Sequence, residues 1–134
     1  MTSGAGEHMR TGAAQRVLVV DDEPLLGDAL GRLLIRSGYD AQVTFTAEHA
    51  EFVASGQTFD CAIIDVYLGE DDGVELACRL LRAQRVKKVV FYTGFIEDDT
   101  LRRALDVGVC VEKAARFEEL CWAVEEAVEG DGAG

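Results

Sequence analysis

The sequence predicts an α/β fold, a doubly wound, five-stranded parallel sheet with helices on both faces. Short runs rich in β-branched residues alternate regularly with longer segments of helical periodicity, joined by short loops. Three of the runs are almost continuously apolar, which is typical of parallel strands buried on both faces. Five such units lie between residues 16 and 129. That length corresponds to one domain, in which right-handed crossovers carry helices to both faces.

The order of elements follows from these patterns. The predicted strands are Arg16–Val20, Ala41–Phe45, Cys61–Asp65, Lys88–Thr93 and Val109–Glu112. The predicted helices are Pro24–Ser37, Ala47–Ser55, Gly73–Gln84, Asp98–Val107 and Arg116–Glu129. Pro24 suits a first helical turn, and the serine–glycine pair at Ser37 suits its end. Residues 1–15 lack an apolar signal-peptide core and are predicted to be a disordered leader, and 130–134 a loose C-terminal tail.

Composition excludes several classes of function. Thirteen basic against 25 acidic residues leave a net charge of −12, which repels phosphate backbones and predicts no direct nucleic-acid binding. No apolar run approaches the roughly 18 residues that cross a bilayer, so we expect no membrane contact. The absence of an export signal favours a cytoplasmic location. Four widely spaced cysteines without a CxxC pair are predicted to be reduced.

Polar residues stand where the predicted strands end. Asp21 and Asp22 follow the first strand, Asp65 ends the third, Thr93 ends the fourth and Lys113 follows the fifth. The carboxyl ends of parallel strands meet at one edge of the sheet, where ligands of such folds bind. Two carboxylates about 5 Å apart repel by roughly 3 kcal/mol at an effective dielectric of about 20. A cation is therefore expected to offset this repulsion.

Oxygen ligands with few protein contacts suit Mg²⁺, which commonly joins carboxylates to a phosphate. Asp65 ends a separate strand, and a carboxylate can accept a phosphoryl group as an acyl phosphate. Lys113 could bind the phosphoryl group or the carboxylate, and Thr93 could donate to a phosphoryl oxygen. This pattern predicts a Mg²⁺-assisted phosphoacceptor site.

Four segments carry a family resemblance: "VLVVDDEP", "CAIIDVYLGEDDGVEL", "VVFYTG" and "VEK". Over about Arg16 to Glu129 the chain resembles the receiver domain of bacterial two-component response regulators. The resemblance implies a flavodoxin-like domain over 16–129, phosphorylated on Asp65, with Mg²⁺ bound by Asp21, Asp22, Asp65 and the backbone carbonyl of Tyr67. It implies that Thr93 and Lys113 sense the phosphoryl group. The implied donor is a phosphohistidine on a sensor histidine kinase or a histidine phosphotransfer protein.

Three positions depart from the family pattern. Gly69 stands where the family often has proline, and Ala114 replaces the proline that usually follows the lysine. Cys110 occupies the position of the switch aromatic, three residues before Lys113. Phosphoacceptance is expected, with a readout that differs from the usual ring rotation.

Further residues are predicted to tune and transmit the signal. Tyr67 and Phe95 lie two residues beyond Asp65 and Thr93, where the resemblance places the path of the hydrolytic water. They are expected either to shield the phosphoryl group and slow autodephosphorylation or only to pack on the loop surface.

The last two helices offer a candidate interface. Trp122 lies about 140° off the apolar stripe of the last helix at 100° per residue. With Arg102 and Arg103 it is a candidate contact for a downstream partner or for self-association, and an edge-of-core ring is the alternative.

Two other functions remain open. One is a receiver-like interaction module that works without phosphorylation, which Cys110 and Ala114 would permit. The other is a Mg²⁺-dependent phosphohydrolase, but no aspartate lies two residues after Asp65, where one common hydrolase pattern has it. A nucleotide or flavin binder is disfavoured because the first strand leads into "DDEP" rather than into a glycine-rich loop.

Overall fold

The strands form one parallel sheet in the computed structural model, which describes residues 14–133. The strands in chain order are β1 Arg16–Val20, β2 Asp40–Thr44, β3 Phe59–Ile64, β4 Tyr67–Leu68, β5 Asp71–Asp72, β6 Val86–Thr93 and β7 Val109–Glu112. Five of them pair in the order β2-β1-β3-β6-β7, all parallel, whereas β4 and β5 form a separate antiparallel pair. The predicted fold class is confirmed.

Five helices cover the two faces of the sheet. They are α1 Pro24–Arg36, α2 Ala47–Gly56, α3 Gly73–Arg82, α4 Asp98–Leu105 and α5 Phe117–Ala133. Alternate residues of β1 enter different cores: Val17 and Val19 belong to the core that includes residues of α1 and α5, and Leu18 belongs to the core that includes residues of α2, α3 and α4. Burial on both faces is why this strand is an unbroken apolar run. Within residues 14–133, no helix has both the length and the apolar character needed to cross a membrane.

The last helix corrects one predicted boundary. We predicted an end at Glu129, but α5 continues to Ala133, so most of the tail predicted at 130–134 is helical. Extending an existing helix adds one hydrogen bond per residue, and no proline interrupts this stretch. The glycines there weaken the helix but do not end it. Residues 1–13 of the predicted leader lie outside the described residues.

A small hairpin between β3 and α3 was missed by the sequence analysis, which treated this stretch as a loop. β4 and β5 pair through Tyr67 with Asp72 and Leu68 with Asp71, leaving two residues in the turn. The first turn residue, Gly69, has a φ of +63°, which glycine adopts without steric cost. The hairpin gives the segment after Asp65 a defined path back to α3.

Candidate functional site

Three carboxylates meet at the carboxyl edge of the sheet. Asp21, Asp22 and Asp65 each offer an oxygen, and these oxygens lie within 4.8 Å of one another. Asp21 and Asp65 are only 2% and 6% exposed, whereas Asp22 is exposed. Two of the three charges are therefore held where water screens them poorly.

Lys113 supplies the opposite charge. Its Nζ lies 2.8 Å from Asp65 Oδ2, 3.1 Å from Asp21 Oδ2 and 3.3 Å from Glu23 Oε1. Burial alone would lower the pKa of Lys113, but the hydrogen bond and charge of Asp65, followed by those of Asp21, outweigh it and raise the pKa. The Lys113 backbone N–H donates to the Thr93 carbonyl at 2.8 Å, which fixes the lysine beside the end of β6.

Both oxygens of Asp65 have partners. The buried Thr93 hydroxyl donates to Oδ1 at 2.9 Å, and the Tyr67 backbone N–H approaches the same oxygen at 3.3 Å. Lys113 donates to Oδ2 at 2.8 Å. Asp65 is thus oriented by groups from the ends of two other strands and from its own loop.

The first two aspartates differ in environment. Burial raises the pKa of Asp21 above its ordinary value of 3.8, although the Glu23 backbone N–H and Lys113 act in the opposite direction. That N–H donates to Asp21 Oδ1 at 2.9 Å. Asp22 instead faces the hairpin and accepts from the Gly69 backbone N–H at 3.0 Å.

Gly73 allows α3 to begin directly against the acceptor segment. A Cβ at this position would lie 2.0 Å from the backbone carbonyl oxygen of Asp65, which no side chain can tolerate. The Gly73 N–H also donates to the Val66 carbonyl at 2.7 Å. The glycine of the "DDG" stretch is therefore needed for a close backbone approach.

The other predicted aromatic residues expose their side chains. Tyr67 is 45% exposed, and Phe95 is 85% exposed. Trp122 is 62% exposed and lines a groove with Val109 and Glu126.

The two predicted interface arginines both have partners within the chain. Arg102 pairs with Asp99 on its own helix, and Arg103 pairs with Asp72 at the start of α3. Arg103 lines a groove between α3 and α4 rather than the groove at Trp122.

Glu23 is a member of the site that the sequence analysis missed. Its carboxylate lies 3.3 Å from Lys113, although the two residues are separated by 89 others. The signal available was the third acid of "DDEP", which the sequence analysis did not assign.

The donor set fits Mg²⁺. Three clustered carboxylates are hard oxygen ligands. One of them, Asp22, is exposed, so the water molecules that Mg²⁺ retains can reach the site. No thiol or imidazole belongs to the described cluster, so a softer metal is not favoured.

The fold and the site together define a doubly wound α/β domain with an acidic, lysine-bearing centre at the carboxyl edge of its sheet. The chain belongs to the response regulator receiver domain family, whose family model matches residues 17–125.

Relatives and solved structures agree with this assignment. The transcriptional regulatory protein TcrA of Mycobacterium tuberculosis is 35% identical over 88 residues, 64% of this chain and 34% of that protein. AlgB of Pseudomonas aeruginosa, an alginate biosynthesis transcriptional regulatory protein, is 30% identical over 93 residues, 69% of this chain and 21% of that protein. The chain therefore spans about a fifth to a third of the length of these two relatives.

Two solved structures are similar to this chain in fold. A CheY-like receiver domain protein from Methanospirillum hungatei superposes with a TM-score of 0.83 at 22% identity, covering 91% of this chain and all of that one. A response regulator from Burkholderia pseudomallei superposes with a TM-score of 0.75 at 26% identity, covering 89% and 72% of the chains. That crystal structure holds a phosphorylated aspartic acid, a calcium ion and citrate.

Replacing Asp21, one of the two buried aspartates, should separate the effect on stability from the effect on metal binding. The pKa of Asp21 is raised above 3.8 in the folded chain. At neutral pH its ionised carboxylate therefore destabilises the folded state relative to the unfolded state. We expect Asp21→Asn to stabilise the metal-free protein at pH 7 by about 0.5–2 kcal/mol. We also expect it to weaken Mg²⁺ binding by at least about tenfold. Urea unfolding in EDTA and Mg²⁺ titration by calorimetry measure the two effects.

Asp22→Asn is the matched control, because it removes an exposed carboxylate from the same cluster. It should weaken Mg²⁺ binding without stabilising the metal-free protein. A metal-free Asp21→Asn protein less stable than the parent would contradict the electrostatic account.

Proposed function

We propose that this chain takes a phosphoryl group from a phosphohistidine donor onto Asp65 in a Mg²⁺-dependent reaction and thereby changes its binding to a partner. The observation that carries the proposal is the set of contacts to Asp65. Thr93 donates to one carboxylate oxygen, Lys113 donates to the other, and the oxygens of two further aspartates lie within 4.8 Å.

The proposed transfer has simple chemistry. An Asp65 oxygen attacks phosphorus, the phosphorus–nitrogen bond of the donor breaks, and the imidazole nitrogen leaves with the electron pair. Lys113 can transfer its hydrogen bond from the Asp65 carboxylate to a phosphoryl oxygen. The Thr93 hydroxyl can donate to a second phosphoryl oxygen. Bound Mg²⁺, held by Asp21, Asp22, Asp65 and the backbone carbonyl of Tyr67, would supply charge that offsets the carboxylate repulsion and screens the phosphoryl group.

Family membership supports the proposed donor and output. Receiver domains interact with histidine kinases and downstream effectors, and a sensor histidine kinase or histidine phosphotransfer protein is the proposed donor for this chain. TcrA and AlgB are transcriptional regulatory proteins, so control of a regulator is one class of output. We propose that the domain only accepts and loses its own phosphoryl group and turns over no small-molecule substrate.

One observation favours the alternative of a phosphorylation-independent module. Thr93 already donates to unmodified Asp65, so this contact exists without a phosphoryl group. In that alternative, Lys113 and Thr93 hold one arrangement of the surface permanently.

The acceptor can be tested by intact-mass spectrometry after incubation with Mg²⁺ and acetyl phosphate. We expect an added mass of one phosphoryl group, absent in Asp65→Asn, because Asp65 is the carboxylate that both Thr93 and Lys113 contact. Asp71→Asn, which changes an exposed acid of the adjoining hairpin, should leave the adduct intact. No adduct in the parent would favour the phosphorylation-independent module, and turnover of a small phosphate ester would favour a phosphohydrolase.

The lifetime of the adduct tests the proposed role of two aromatic rings. If Tyr67 and Phe95 shield the phosphoryl group from water, Tyr67→Asn and Phe95→Glu should each speed its decay by about tenfold, or about 1.4 kcal/mol of barrier. Tyr67→Phe keeps the ring and should leave the decay unchanged. Equal lifetimes in all four proteins would mean that the rings only lie on the surface.

We also propose self-association through α4 and α5. Trp122, Leu105 and Val109 are each more than half exposed around an open groove of about 850 Å³. The same groove is also lined by Ala123 and Ala127 of α5. A second copy of the chain would therefore cover these apolar residues.

Sedimentation velocity of the phosphorylated protein tests this surface. We expect a dimer fraction that rises with concentration and salt, because the net charge of −12 opposes association at low ionic strength. Trp122→Ala should lower the association constant by at least about fivefold. Phe52→Ala, which removes an exposed ring on α2, should leave it unchanged. A monomer at every concentration would exclude self-association and favour a different downstream partner.

A further inference from the structure

Helix α4 is weakly anchored to the rest of the domain. It has eight residues, and Ala104 is its one buried residue. An open groove of about 490 Å³ separates it from α3, lined by Cys78 of α3 and Arg103 of α4 among others. A side-chain contact across this groove can therefore influence where α4 lies.

The ion pair between Arg103 and Asp72 is such a contact. Asp72 uses its two oxygens differently: Oδ1 accepts from the N–H groups of Val74 and Glu75 and caps α3, and Oδ2 lies 2.9 Å from the Arg103 guanidinium. Burial alone would raise the pKa of Asp72, but Arg103 and the two N–H groups outweigh it and lower the pKa. The carboxylate is therefore charged at neutral pH and can serve both helices.

Asp72 also connects this pair to the acceptor. It precedes Gly73, whose Cα lies so close to the Asp65 backbone that no Cβ fits between them. The Gly73 N–H donates to the Val66 carbonyl, so the residue after Asp65 is tied to the start of α3. A shift of the Asp65 backbone would therefore displace Asp72 as well.

A second connection joins Asp65 to α4 along the chain. Thr93 donates to Asp65 Oδ1, and α4 begins five residues later at Asp98. At its C-terminal end α4 leads into β7, where Cys110 has a small, half-buried side chain. Cys110 offers no ring whose rotation could report on Thr93.

We propose that Arg103 is a positioning residue whose ion pair with Asp72 ties α4 to the acceptor segment, so that phosphorylation of Asp65 alters the groove between α3 and α4 through this pair. The inference rests on the proposed phosphorylation of Asp65 and adds the route by which it reaches α4. It also assigns Arg103 to the groove with α3 instead of the outer surface at Trp122.

Cys78 provides a native reporter of the groove. It is half-buried, lines the groove with Arg103 and can be alkylated, with the modified peptide identified by mass spectrometry. Cys61 is an internal reference, because burial raises the pKa of its thiol to about 12 and should keep it unmodified in every folded protein.

The experiment compares Cys78 alkylation rates with and without acetyl phosphate and Mg²⁺ in the parent and three variants. Arg103→Gln removes the ion pair from α4. Asp72→Asn removes it from α3 while keeping a good helix-capping residue. Arg102→Gln is the matched control, because Arg102 pairs with Asp99 on its own helix.

We expect phosphorylation to change the Cys78 rate of the parent by about two- to fivefold, the range for an ion pair of this exposure. Arg102→Gln should respond as the parent does. Arg103→Gln and Asp72→Asn should differ from the parent before phosphorylation and show little further change after it. The phosphoryl adduct is measured by intact mass in the same samples.

These readouts distinguish failure of the inference from failure of the proposed function. Absence of the adduct in the parent would overturn the proposed function and the inference with it. A normal adduct with a full Cys78 response in Arg103→Gln would overturn the inference alone. A loss of thermal stability in that variant with the response retained would show a merely structural ion pair, which also overturns it.

Discussion

The balance of charge around Lys113 is the constraint on which the site depends. One ammonium contacts three carboxylates, those of Asp65, Asp21 and Glu23, in a chain whose net charge is −12. Two carboxylates about 5 Å apart repel by roughly 3 kcal/mol at an effective dielectric of about 20, so without an opposite charge the cluster would oppose folding. Lys113 reaches the acidic cluster because β7, which it follows, pairs with β6, and β6 pairs with β3, which leads into Asp65. The strand order is thus what makes the acidic centre tolerable.

The backbone around Asp65 is constrained as closely as its charge. The hairpin of β4 and β5 returns the chain to α3 within a few residues, with Gly69 at a positive φ and its N–H donating to Asp22. Gly73 then lets α3 begin in contact with the Asp65 carbonyl. Small backbone displacements at Asp65 therefore reach both a metal-ligand candidate and a helix terminus, which suits a residue proposed to gain and lose a phosphoryl group.

The sequence predicted the fold and the central cluster because both rest on local signals. Continuous apolar runs mark parallel strands, and the rule that strand ends share one edge assembles Asp21, Asp65 and Thr93 without further information. The contact between Glu23 and Lys113 could not be predicted this way, because it joins residues far apart in sequence and depends on side-chain reach. The pair of Arg103 and Asp72 depends likewise on how two helices are placed across a groove. The end of α5 was missed because glycine weakens a helix without specifying where it stops.

The exposure of the Arg103–Asp72 pair suits a contact that is proposed to respond to phosphorylation. A ligand or modification shifts an equilibrium only by its differential interaction with the two states, so the states must lie close in free energy. Deep burial of α4 would hold it in one place against any change at Asp65. A helix with Ala104 as its one buried residue and a half-exposed ion pair can instead move at small cost. With Cys110 in place of an aromatic ring, the side chains best placed to convert a change at Asp65 into a change of surface are therefore those that bridge α3 and α4.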